Sequence, residues 1–201
     1  MTFLETVRLI LAFFVVGMTP PSILLWVAIH PFAAHWRRVG PVWTYVLLGI
    51  PVLGFVVVVW IFRKTLLGRD LGASVITMIF AGISLAAGAL LKSRVAKQLR
   101  FHSLSGIPEL SKEQYPGKLL TEGIFGRVRN PRYIEVFFWI LAYALFANYV
   151  GAYVVVALYP PVIYFVVRLE EIELRQRFGA AYDDYCRRVP RFIPRLRMRQ
   201  D

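Results

Sequence analysis

Two short clusters hold the residue types that bond-making chemistry needs. The first is Gly123-Ile124-Phe125-Gly126-Arg127-Val128-Arg129-Asn130-Pro131-Arg132-Tyr133, and the second is Arg168-Leu169-Glu170-Glu171. Guanidinium groups grip carboxylates bidentately. Carboxylates and aromatic faces hold cations, and carboxylates also accept from hydroxyls. Together such groups can position a charged small molecule and a nucleophile. This requires whatever lies between the clusters to bring them together.

What lies between is the apolar stretch Ile134 to Val167. It is long enough to cross a bilayer and return, since one helical crossing takes ~20 apolar residues, and Asn148 and Gly151 are good places to turn. A hairpin returns both ends to one side, so Arg129, Asn130 and Tyr133 can face Arg168, Glu170 and Glu171. Three further stretches have spanning length: Thr2 to Ile29, Val42 to Phe62 and Leu71 to Leu91. The first lacks a small-residue cleavage site and is too long for a typical signal-peptide core, so it reads as a retained helix. Pro20 and Pro21 predict a kink in it, which neighbouring helices can tolerate. The fold class expected is all-α, a polytopic membrane bundle of about five transmembrane helices with a cytosolic helical tail. Its divisions are three supporting helices over 1–91, a loop and first motif over 92–133, the hairpin over 134–167 and the tail over 168–201.

Composition agrees. The 201 residues are 58% hydrophobic, against roughly 45–50% in soluble domains, and the mean hydropathy is +0.58. The formal net charge of +12 gathers at helix ends and in the tail, as the positive-inside rule arranges it. Anionic headgroups account for it, and no binding fold or aromatic-interleaved basic face points to nucleic acid. The dense basic sets are Lys92, Arg94, Lys97 and Arg100, then Arg127, Arg129 and Arg132, then the tail from Arg168. If all are cytoplasmic, the N-terminus lies outside and Arg37 and Arg38 lie inside. Arg63, Lys64 and Arg69 then fall on the outer side, against the rule.

Other chemistries find little support. His30, His35 and His102 are far apart, the single Cys186 forms no internal disulfide, and no spacing resembles a metal site. Nothing marks Cys186 as an activated nucleophile. Phe101 to Gly123 is punctuated by Gly106, Pro108, Pro116 and Gly117 and reads as a loop or lid. Arg168 to Phe178 reads as a helix leaving the membrane, stopped by Gly179, and Ala180 to Arg188 as a second short helix. A purely structural account of the charges also exists. Arg127, Arg129 and Arg132 would snorkel, and Glu171 with Arg175 and Glu173 with Arg177 would be helical pairs four apart.

The stretches KLLTEGIFGRVRNPRY and RLEEIELRQRFGAAYDDYCRRVPRFIP resemble the membrane methyltransferases that include isoprenylcysteine carboxyl methyltransferases and phospholipid N-methyltransferases. They are similar in order and spacing to that family's glycine–aromatic, Arg-His-Pro-x-Tyr, Glu-Glu and Phe-Gly-x-x-Tyr-x-x-Tyr elements. The resemblance covers about the last 85 residues. It implies that the loop, the hairpin ends and the tail enclose S-adenosylmethionine at the cytosolic face. Gly123, Ile124, Asn130, Pro131, Arg132, Tyr133, Glu170 and Glu171 would hold the cofactor. Arg129, Arg168 and Glu171 would serve the reacting groups. Asn130 stands where the family usually has His, so it can replace a hydrogen bond but not a titrating proton.

The implied function is methyl transfer to a lipid or lipid-linked acceptor, such as a prenylcysteine carboxylate or a phospholipid amine. A quinol-type hydroxyl or a small thiol would also suit an interfacial pocket, and the loop from Phe101 to Gly117 would select among them. In-line displacement asks mainly for approach geometry and control of solvation. The expected setting is a multi-pass protein of a bacterial-type inner membrane, its active site facing the cytoplasm, with lipid and membrane as partners. Two other readings stand beside it. Tyr185-Cys186 followed by Val189-Pro190 is similar to the ending of NADPH-dependent membrane sterol reductases. Alternatively, the charges anchor a non-catalytic subunit.

Overall fold

The structure, a computed structural model, describes residues 1–29, 31–98 and 118–195. His30, Arg100, His102 and the proposed specificity loop from Phe101 to Gly117 lie outside the described residues, as does the tail from 196 onward. The described elements are α1 (Phe3–Ile29), α2 (Ala33–Val39), α3 (Pro41–Ile61), α4 (Arg63–Leu67), α5 (Val75–Ala96), α6 (Pro131–Ala147), α7 (Val150–Phe178) and α8 (Ala180–Arg188). Among the described residues there is no strand, only an isolated bridge between Asp70 and Tyr149. This is the helical membrane bundle expected.

Four helices are long and apolar enough to cross a membrane: α1, α3, α5 and α7. The fifth expected crossing differs. Helix α6 has 17 residues, about 25 Å at 1.5 Å per residue, short of the ~30 Å hydrocarbon core. Its bounds have local causes. Pro131 opens it at the first helical position, where a missing N–H costs nothing. Asn148 closes it in the left-handed conformation (φ 57°, ψ 48°), which Asn tolerates better than most residues. The chain then reverses into α7, whose last eleven residues continue beyond the apolar part to Phe178, where Gly179 (φ 57°) ends it.

Helix α1 is central, packing against α3, α6 and α7, while α5 lies along α6. The interfaces use small side chains: Ala12, Ala144, Ala147 and Ala152 are almost fully buried. Lipid tails are as apolar as a core side chain, so close backbone approach rather than water exclusion joins membrane helices. Large apolar residues such as Trp43, Ile50, Leu53, Phe80 and Ile83 face outward instead. Prolines at 20 and 21 in α1 and at 160 and 161 in α7 remove hydrogen bonds to carbonyls four residues earlier.

The alternating helices give the bundle two ends. The turn end holds the start of α1, the α4–α5 connection and the α6–α7 turn. There the Leu71 N–H donates to the Asn148 carbonyl at 3.0 Å, the Val150 N–H to the Arg69 carbonyl at 3.1 Å, and the Asn148 amide to the Gly72 carbonyl at 2.9 Å. Buried Arg8 pairs with Asp70 and donates from Nε to the Ala147 carbonyl at 3.0 Å. The motif end holds the start of α6, the end of α7 and α8.

Candidate active site

The hairpin brings its two ends together. The Tyr133 hydroxyl, on the first turn of α6, donates to Glu170 Oε2 at 2.8 Å, and the Tyr159 hydroxyl donates to the Tyr133 carbonyl at 3.1 Å. Beside them is a cavity of about 620 Å³, within the ~300–1,000 Å³ usual for small-molecule sites. Arg129, Asn130, Pro131, Arg132, Tyr133 and Glu170 line its motif end, together with Phe125. Helix α1 supplies an apolar wall of Phe14, Met18, Ile23 and Trp26, interrupted by Thr19 and Ser22. Phe14 and Tyr143 meet edge to face at 5.7 Å at the apolar extreme. Lys92, Glu135 and Trp139 complete the side made by α5 and α6.

The remaining predicted residues sit elsewhere. Glu171 is 1% exposed and does not line the cavity. Its Oε1 accepts from Arg129 Nη2 at 2.7 Å and from Arg191 Nε at 3.0 Å, and its Oε2 accepts from Arg191 Nη2 at 2.6 Å. Both oxygens are thus committed to holding the tail. Arg168 is exposed and outside the lining. It lies two residues before Glu170, about 200° around a helix of 3.6 residues per turn, so it faces away. Gly123 and Ile124 lie in the turn before Val128, near but not lining the cavity. Gly123 has φ 57°, and a Cβ there would fall 1.6 Å from the Gln98 side chain. The conformation favours glycine, while the Gln98 side chain can swing aside.

Asn130 and Arg129 do two things at once. The Arg129 N–H donates to the Pro190 carbonyl at 2.9 Å and the Asn130 N–H to the Arg191 carbonyl at 3.2 Å, and the Asn130 amide donates to the Arg191 carbonyl at 3.3 Å. Arg129 Nη1 donates to the Cys186 and Val189 carbonyls at 3.0 and 2.5 Å. The chain over 190–191 is thereby laid across the start of α6. Arg129 Nε is buried with no partner among the described residues, while the residue lines the cavity.

Tyr182, Tyr185 and Val189 form a small core with Leu119, Leu174, Phe178 and Cys186. Burial pushes the Tyr185 phenol up, so it remains a donor, to the Phe125 carbonyl at 2.7 Å. These tyrosines fasten α8 over the 122–127 turn and do not enter the cavity. Cys186 is a half-buried free thiol in that packing. The groups that sequence reasoning missed are the α1 wall, Glu135 and Trp139, and Arg191. The run RRVPRFIP contains no signal that its third arginine would fold back on Glu171.

A family model described as phospholipid methyltransferase matches residues 76–181. The chain belongs to the phospholipid methyltransferase family. The match runs from α5 into α8 and takes in both motifs, so the resemblance drawn from the last third of the sequence holds and extends back to α5. The protein is accordingly a membrane methyltransferase acting on lipid. Helices α1 to α4 precede the matched residues, although α1 builds one wall of the cavity. No curated protein matches the chain.

Proposed function

We propose that this phospholipid methyltransferase-family protein transfers methyl groups from S-adenosylmethionine to a phospholipid amine at the cytoplasmic face of the membrane. The observation that carries the reading is the convergence of Asn130-Pro131-Arg132-Tyr133 and Glu170 on one cavity. The residues suit the cofactor. Glu170 is a carboxylate oriented by Tyr133, Arg129 and Arg132 line the cavity, and aromatic rings of Phe125 and Trp26 face the space. Carboxylates and aromatic faces suit a sulfonium and a ribose, and a guanidinium N–H suits a carboxylate. When bound, S-adenosylmethionine supplies an electrophilic methyl group.

The chain's own part is positional. Tyr133 holds Glu170 at a fixed orientation, and the tail over 190–191, pinned by Arg129 and Asn130, covers the start of α6 against water. Exclusion of water favours a step in which charge is neutralised or dispersed. The apolar α1 wall accommodates an acyl chain entering from the bilayer. The basic residues at the motif end, Arg94, Lys97, Arg127, Arg129 and Arg132, support a site facing the cytoplasm.

Calorimetry on the purified, detergent-solubilised protein tests the cofactor. Saturable heat is expected from S-adenosylmethionine and from its demethylated product, and Tyr133→Ala should weaken both at least tenfold. Absence of heat from both ligands with folded wild-type protein would sink the proposal. Labelled methyl donor supplied to membranes carrying the protein should label a phospholipid amine. Labelling of a prenylcysteine carboxylate, a quinol or a thiol instead would correct the acceptor.

A further inference from the structure

The α5–α6 wall of the cavity carries three groups that the cofactor reading does not use. Lys92 Nζ lies 5.8 Å from the centroid of the Trp139 ring. Glu135 stands one turn before Trp139 on α6. All three line the cavity. Trp139 is set deep because α5 offers Gly88 beneath it, where even a Cβ would come within 3.2 Å of the indole nitrogen. The wall therefore already holds one primary ammonium, the protein's own, near an indole ring, with a carboxylate on the same wall of the cavity.

We infer that Glu135 and the face of Trp139 are the acceptor-specificity subsite, binding the primary ammonium of a phospholipid amine in place of the Lys92 ammonium. This rests on the proposed methylation of a phospholipid amine and names the residues that would select it. A cation over an indole is attracted by the ring quadrupole, the more so away from water, and a carboxylate adds a charge-assisted hydrogen bond. The same carboxylate repels an acceptor whose reacting group is itself anionic, which gives specificity by exclusion as well as attraction. Lys92, on a flexible four-carbon stem, then turns its charge to the lipid phosphate beside Arg132.

The test uses full-length protein in nanodiscs of phosphatidylcholine doped with phosphatidylethanolamine. Glu135→Gln should raise KM for phosphatidylethanolamine at least fivefold, with kcat and calorimetric affinity for S-adenosylmethionine within twofold of wild type. Glu135→Asp should recover most of the loss. A smaller rise in KM, or a loss confined to kcat, overturns the inference and leaves the proposed function standing. If Glu135→Gln does not fold, Trp139→Phe, which keeps a ring against Gly88, decides the matter, with a threefold rise in KM as the dividing line. Should the wild type transfer no methyl to phosphatidylethanolamine while still binding S-adenosylmethionine, the amine reading itself falls and this subsite with it.

Discussion

Glu171 is a motif residue placed to hold the tail rather than to line the cavity. Its carboxylate is nearly sealed from solvent and shared between Arg129 and Arg191, with Arg175 at 3.9 Å. It acts as a positioning residue that ties the tail to α7. Removing one partner of a buried ion pair leaves the other charge uncompensated, at about 3–5 kcal/mol. Glu171→Gln should therefore destabilise the protein by about 3 kcal/mol in thermal or denaturant unfolding. Because Glu171 accepts two hydrogen bonds from the Arg191 guanidinium, Arg191→Ala in the Glu171→Gln background should add less than it does alone. A coupling energy of about 1–3 kcal/mol is expected from the double-mutant cycle. Simple additivity would show that the two residues act independently. Arg168 makes the opposite case, since it flanks the acidic pair in sequence yet points away from the cavity.

At the level of elements, the α6–α7 hairpin brings the two motifs together, and its turn is pressed against α4. A Cβ on Gly151 would lie 2.1 Å from the Leu66 carbonyl oxygen and 2.9 Å from that of Leu67. Backbone atoms cannot swing aside as a flexible side chain can. Gly151→Ala should cost about 1–3 kcal/mol, the range for overpacking, and should weaken cofactor binding as the hairpin shifts. Gly49→Ala on α3 meets nothing within 4 Å and serves as the control, with an unchanged melting temperature expected. Helix α1 matters differently. It lies outside the residues matched by the family, yet it supplies one wall of the cavity and packs on both arms of the hairpin.

For the whole molecule, the end opposite the site is closed by a polar clasp. Arg8 joins α1 to Asp70 and to the last carbonyl of α6, its guanidinium 5.6 Å from the Tyr149 ring. Partial burial works against the Asp70 charge, but the Gly72 N–H and the Arg8 guanidinium outweigh it and hold the carboxyl below its ordinary value. A depressed folded-state value means that the stabilisation is present above the unfolded value and disappears as pH falls through the folded one. The window therefore lies below about pH 4. Asp70 is 41% exposed, so screening limits the contribution to about 1 kcal/mol or less. Asp70→Asn should melt slightly below wild type at pH 7, and the two curves should converge below about pH 3. A gap that stayed constant across that range would exclude charge as its cause.

The helical class, a first helix of spanning length, the helix from Ala180 to Arg188 and the pairing of two motifs across a hairpin were all legible in the residues. They are local or periodic properties: apolar runs of spanning length, glycine and proline stops, and a motif's fixed spacing. Asn148 was readable as a turn for the same reason. The shortness of α6, the commitment of Glu171 to Arg191, the outward face of Arg168 and the α1 wall were not, because each depends on which distant surfaces meet. Arg191 lies twenty residues from Glu171, and α1 is separated by α2 to α5 from the motif that it faces. The sequence by itself determined which residue types stand at the mouth of a membrane hairpin. Only the tertiary structure decided which of them line the cavity and which hold it closed, since that follows from helix rotation and long-range packing, which no local pattern encodes.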